Sequence, residues 1–237
     1  MNDLKTVKSI LKLVFSRKSW LDLSDYVGVG KKKRIDRITD QSSLATLVNS
    51  RSSHVAQTSL YGYLRTRSGT KFPELFKNPD ILISINMAKW HIWLACVGDL
   101  SVFVGRLLFQ SGRLKSPDIS ALVSGAMDQI LQDTGTPDEA GGDYSKAVEK
   151  TRQRIHTLDW SKDLDDDTIF SRSPSALFYW APIADELKNR DEEIVRNSVR
   201  FRWIEIRRSA RQLLDFDSLA NTFSVSQTAE VNAVVES

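Results

Sequence analysis

At 237 residues, with 41% hydrophobic and 27% charged side chains, the chain carries enough apolar material for one large or two small globular domains. Thirty-three Lys and Arg against 30 Asp and Glu leave a net charge of only +3, which excludes the charge density of a dedicated nucleic-acid binder and makes any basic action local. The single cysteine, Cys96, excludes a disulfide framework and a thiolate metal cluster, and fits a reducing compartment.

The first predicted element is an amphipathic helix within residues 1–20. Leu4, Val7, Ile10, Leu11, Val14 and Phe15 share a face at about 100° per residue, Lys5, Lys8 and Lys12 flank it, and Trp20 follows. Lysines beside an apolar face, with an aromatic near the end, suit an anionic membrane surface or a partner protein; the same pattern serves docking on the protein's own core or organellar targeting. No uninterrupted apolar core or small-residue cleavage site marks a secretory signal, so the expected location is the cytoplasm, with a peripheral place at the inner membrane if the helix binds lipid. Residues 21–42 form a basic loop, in which Gly28 and Gly30 precede Lys31 to Arg34. G-x-G without the further glycine, Lys and Ser/Thr of a phosphate loop, or the third glycine of a dinucleotide fold, is a solvated turn or a reinforcement of lipid binding.

A helix is expected from about 43 to 67, capped by Asp40 or Ser42 and ended by Gly69. On it Arg51, His54, Thr58, Tyr61 and Arg65 recur at steps of three and four and form one polar stripe. Ser52, Ala56, Ser59 and Gly62 are small enough to admit a close neighbour. The stripe is either a ligand-binding row or a set of polar groups satisfied between packed helices. The neighbour expected for it is the most apolar stretch, 81–109, whose Lys89, His91, Asp99 and Arg106 argue against a membrane span and for a buried central helix. Ala88, Ala95, Asp99 and Arg106, with Gly98 and Gly105 at the margin, give it a small-residue face against which the 43–67 helix is expected to pack. Asp99, needing compensation if buried, is expected to meet Arg51 or Arg65. Cys96, flanked by Trp93, Leu94 and Val97, reads as a buried, inert thiol.

The run SSHVAQTSLYGYLRTRSGT with FPELF and SINMAKWHIWLACVGDLSVF resembles a family of uncharacterised proteobacterial helical proteins over roughly residues 44–109. The resemblance implies a helical fold, and an esterase label carried by some members would imply acyl transfer. The residues supply no such chemistry: there is no G-x-S-x-G elbow, and neither Ser68 nor Ser124 has a strand–turn–helix context. His54, His91 and His156 lack a second ligand at H-x-x-x-H spacing, so no metal site is expected.

Downstream, Ser116, Pro117 and Asp118 open a helix whose stripe runs from Ile119 to Leu131 and stops near Gly135. Residues 134–143 read as a loop, a basic-rich helix follows from about Tyr144 to Leu158, and DLDDD at 163–167 reads as a solvated acidic turn without the spacing of a calcium hand. A helix opens again at Ser173, and Pro182 kinks or restarts it. The last long helix, about 191–215, has Val195, Val199, Trp203, Ile206, Ala210 and Leu213 on one face and Arg196, Arg200, Arg207, Arg208 and Arg211 around it, which is a solvated helix or an anion- or partner-binding face. The polar, small-residue tail 217–237 reads as disordered.

The expected fold is therefore all-α: a bundle of about six or seven helices around 81–109, in a helical domain spanning 43–216. The expected function is that of a non-catalytic helical adaptor or assembly factor, peripheral at a membrane surface, with a protein partner or an anionic membrane as its contact, no nucleic acid and no cofactor. Two other classes stand beside it: a binder of a small apolar or amphiphilic ligand between helices, and a hydrolase whose catalytic residues the sequence does not name.

Overall fold

A computed structural model describes residues 37–235, with side chains as far as Ser226. The amphipathic N-terminal segment with Lys5, Lys8, Lys12 and Trp20, and the basic loop through residue 36, lie outside the described residues. Within them the protein is an all-α bundle. Its helices are α1 (Gln41–Ser68), α2 (Phe72–Leu75), α3 (Pro79–Ser111), α4 (Ser116–Thr134), α5 (Tyr144–His156), α6 (Asp166–Ile169), α7 (Arg172–Trp180), α8 (Asp185–Leu213) and α9 (Phe216–Val235).

Local chemistry sets most of the boundaries. The Asp40 carboxylate accepts from the Ser43 amide at 2.7 Å while the Ser43 hydroxyl meets the Asp40 amide, a reciprocal cap that starts α1. Asn78 caps α3 ahead of Pro79, whose missing N–H costs nothing in the first turn. Gly112 ends α3 in the left-handed region, φ 68°, where a side chain would strain the backbone. Pro182 falls in the short break between α7 and α8.

α3 is the axis of the bundle, packed by α1, α7, α5 and α4. By length and hydropathy it would suit a membrane span, but 89% of its most apolar stretch is buried inside the protein, as expected of a core helix. Each charge that interrupts it is answered by the C-terminal half of the chain: Lys89 by Glu139, Asp99 by Arg154, and Arg106 by the Trp160 carbonyl and Asp163. The small-residue face of α3 is correspondingly turned away from α1, against expectation. A Cβ at Gly98 would come within 2.8 Å of the Thr151 side chain on α5, and one at Gly105 would collide with the ring of Trp160. Toward α1 the helix presents larger groups, with Trp93 Nε1 donating to Asn49 at 3.1 Å.

Two further corrections concern the ends. The domain starts before residue 43, because Ile38 donates to the Leu213 carbonyl at 2.9 Å and accepts from the Asp215 amide at 3.0 Å, clipping the entering chain to the end of α8. The segment expected to be disordered is helical: Asp215 caps α9 through the Ser218 amide, and Leu219 and Phe223 on α9 are buried, so three apolar residues at helical spacing, with Phe216 the first, outweigh the polar composition around them.

Candidate functional site

The polar stripe of α1 sits at the edge of the core and does not line its centre. Arg51, His54, Thr58 and Tyr61 are half-buried and Arg65 is exposed, whereas the innermost row of α1 is Val48, Ser52, Val55, Ala56, Ser59 and Leu60. Arg202 of α8 reaches the stripe, donating from Nη2 to the Thr58 carbonyl at 3.3 Å. Burial, aided by Arg51 and Arg202, holds the His54 imidazole below its ordinary pKa. Burial also pushes the Tyr61 phenol up to about 12. The stripe thus carries a neutral imidazole beside two guanidinium groups and an un-ionised phenol.

Asp99 is fully buried, and its partner is neither Arg51 nor Arg65. Its carboxylate accepts from Arg154 Nη1 at 2.7 Å and from the amide and hydroxyl of Ser173, both at 2.8 Å. Trp203 Nε1 donates to the Ser173 hydroxyl at 3.0 Å, and Arg154 Nη2 to the Ile169 carbonyl at 2.9 Å. One carboxylate therefore ties α3, α5, α7 and α8 together. Burial raises its pKa, with Arg154 and Ser173 pulling the other way. The difference from expectation is one of topology: α1 lies on another side of α3, and the small residues of α3 leave room for α5 instead. Cys96, one turn before Asp99, is buried and its thiol is pushed well up, first by desolvation and then by the Asp99 charge. A thiol without access and without ionisation is a packing group, not a nucleophile.

His91 has the same structural character. Its Nε2–H donates to the Ala140 carbonyl at 3.1 Å, and its ring stacks on Trp180 at 3.8 Å and meets Tyr144 edge-on at 5.5 Å. Residues 134–143 are thus no simple solvent loop: a 3-10 turn at Asp138–Ala140 buries Ala140 against α3. The acidic run is also spent on bracing. Asp163 meets Arg106, Asp165 caps α6, Asp166 pairs with Arg207 and Asp167 lies 3.8 Å from Arg200. Among the described residues, no group of three or more His, Cys, Asp or Glu side chains is placed to hold a metal.

Among the described residues, most of the exposed large apolar side chains lie on the outer side of α8. Its inner side, Val195, Val199, Trp203, Ile206 and Ala210, fills the core as its spacing predicts. Its N-terminal third is pinned to α1 by Asp191, which accepts from Tyr63 at 3.1 Å and pairs with Arg67. On the opposite side Leu187, Ile194, Phe201 and Ile204 point to solvent, Ile194 at 72% and Phe201 at 73% exposure. Their spacing of seven, seven and three places them on one stripe of a helix. Arg190, Glu205 and Arg208 border it. The signal was in the sequence, as a second periodicity hidden behind the stronger inner one and its arginines. Beyond the stripe, at the C-terminal end of α8, an open groove of about 630 Å³ has Leu107, Leu214 and Phe216 in its wall together with Arg37, Arg113 and Arg211. The first two arginines are matched there by Asp215 and Asp217.

No family model matches the chain, and no curated protein or solved structure matches it either. These comparisons leave the likeness noted over residues 44–109 without a bearing on function.

Proposed function

We propose that this chain is a non-catalytic helical adaptor or assembly factor that docks through the outer side of α8, with the N-terminal segment as a second contact. The observation that carries the reading is the exposed stripe of Leu187, Ile194, Phe201 and Ile204 on a helix whose inner side fills the core. Leaving four large apolar groups in water on one line has no stabilising role in the monomer, and such lines mark contacts with partners. The groups that would be suspected of chemistry, Cys96, Asp99 and His91, are engaged in holding helices together. The lysine-flanked segment with Lys5, Lys8, Lys12 and Trp20 supplies attraction to an anionic surface, which is the basis for placing the protein in the cytoplasm and at the periphery of the inner membrane.

The test is the size of the complex that the full chain forms in a gentle extract of its source cells. The reading expects migration above the chain's own mass and a return to that mass in Phe201→Glu; identical migration of both proteins overturns it. Flotation with anionic vesicles checks the second contact, which Lys5, Lys8 and Lys12 changed together to Glu should abolish. A second reading, binding of a small amphiphilic anion, is favoured by the groove where Leu107, Leu214 and Phe216 lie beside Arg37, Arg113 and Arg211. Native mass spectrometry of protein purified from its source would reveal it as a retained ligand.

A further inference from the structure

We infer that the partner of the α8 stripe is a second copy of this chain, its α8 running antiparallel across a two-fold axis between Asn197 and Ser198. The inference rests on reading that face as a docking surface, and what it adds is the occupant and its register. An isologous contact needs a surface complementary to itself. The outer side of α8 meets that condition twice.

The first match is apolar. An axis between Asn197 and Ser198 sets each residue against the one equally far on the other side, so Ile194 faces Phe201 of the second copy, and Phe201 faces its Ile194. These are the two most exposed apolar groups of the stripe, at 72% and 73%. Leu187 falls opposite the alkyl stem of Arg208 and next to Ile204 of the other copy. An aromatic and an aliphatic anchor at the centre, flanked by long stems, is the composition of a helix seam.

The second match is electrostatic. Residues 185–197 carry five acids (Asp185, Glu186, Asp191, Glu192, Glu193) against three bases (Lys188, Arg190, Arg196), while 198–213 carry five arginines (Arg200, Arg202, Arg207, Arg208, Arg211) against Glu205 alone. Asp191 is already answered by Arg67, Arg200 by Asp167, Arg207 by Asp166, Lys188 by Asp185 and Arg196 by Glu192, and Arg208 lies 3.1 Å from Glu205 on its own helix. On the outer side Glu186 and Glu193 stand with Arg190 at one end, and Arg208 and Arg211 with Glu205 at the other, so the polarity survives there as one net negative charge against one net positive. A parallel pair would set like against like; the antiparallel pair sets acidic half on basic half and also opposes the helix dipoles. In the same register Arg190 falls opposite Glu205 of the second copy and Glu186 beside its Arg208, two pairings of opposite sign that would exchange the Glu205–Arg208 contact within each chain for contacts across the axis. The lysine-rich sequence before residue 37 would meet Arg190 and Arg208 of the stripe with like charge.

Sedimentation velocity of the purified full chain across about 1 to 100 μM, the range of an ordinary reversible dimer, tests this. The expected result is a concentration-dependent approach to twice the chain mass. Phe201→Glu, at an exposed site where folding is spared and far-UV circular dichroism should be unchanged, is expected to weaken dimerisation by at least about tenfold, as for a central anchor. Arg190→Glu and Glu205→Arg are each expected to weaken it, and the double variant to recover most of the loss. A chain that stays monomeric throughout overturns the inference, as does a dimer indifferent to Phe201→Glu or a charge swap no better than its single changes. A monomeric purified chain whose larger complex in extracts still collapses in Phe201→Glu would reject the second copy while leaving the docking face. Indifference in extracts as well would reject both.

Discussion

Replacing Asp99 by alanine removes the one acceptor shared by Arg154 Nη1 and by the Ser173 amide and hydroxyl, at 2.7 to 2.8 Å, in a place with no solvent exposure. The loss has three parts. The guanidinium of Arg154 loses its counter-charge, and since its side chain is 20% exposed and Nη2 keeps the Ile169 carbonyl, water and that bond recover part of the cost. The buried Ser173 amide loses its only acceptor in this cluster, about 1 to 3 kcal/mol for a stranded donor. The vacated volume adds a small cavity. Together these place Asp99→Ala at about 3 to 5 kcal/mol, the range for breaking a buried ionic contact by deleting one partner. Urea denaturation followed by tryptophan fluorescence reads it, with Trp203 inside the network as a local reporter. Arg154→Met should cost less than Asp99→Ala, because a lone buried carboxyl escapes by taking up a proton, and the double variant should cost less than the sum of the two. Arg65→Ala, at an exposed residue, should change stability by under about 0.5 kcal/mol. An Asp99→Ala midpoint within about 1 kcal/mol of the parent, the cost at a solvated carboxylate, would refute the reasoning.

Acid should weaken the fold through its histidines: His54 and His91 both have folded pKa values lowered by burial, so below about 6.5 the unfolded chain takes up protons that the folded chain does not. The urea midpoint is accordingly expected to fall between pH 7.5 and the lowered values, and less steeply in His91→Gln, whose Nε2–H can still reach for the Ala140 carbonyl through its amide. Thiol labelling of Cys96 in the native chain is expected to proceed only as fast as the protein unfolds; fast labelling would contradict the burial described above. Gly105→Ala should destabilise by about 1 to 3 kcal/mol, because its Cβ strikes the buried ring of Trp160. Gly62→Ala, whose Cβ would meet only the flexible end of Arg202 at 3.3 Å, should be neutral or stabilising by up to about 1 kcal/mol.

The parts of the fold that follow from neighbours in sequence were legible. Asp40 before α1, Ser116–Pro117 at the start of α4, Gly69 and Gly135 at helix ends, and the burial of 81–109 are local capping or periodicity, and the structure places each within a few residues of expectation. The choice of Arg154 over Arg51 or Arg65 for Asp99 was not legible, because all three satisfy the same chemistry and only the arrangement of α1 and α5 around α3 separates them. α9 was missed for a different reason: Phe216, Leu219 and Phe223 are three residues among many small polar ones, too few to dominate composition yet enough to dock a helix on a core already built. The clip between Ile38 and Leu214 joins positions far apart in the chain and leaves no local trace. The outer stripe of α8 was visible as spacing, but its meaning depended on knowing which side of the helix the core takes.

A photo-crosslinking side chain placed at Ile194 in the full-length protein, expressed in its source cells, tests the docking role of α8 most directly. Ile83, 60% exposed on α3, is a matched control at another exposed isoleucine. The account expects an adduct of defined size from position 194, lost when Phe201→Glu is added, and little or none from position 83. Equal adducts from both positions, or none from 194, would contradict it.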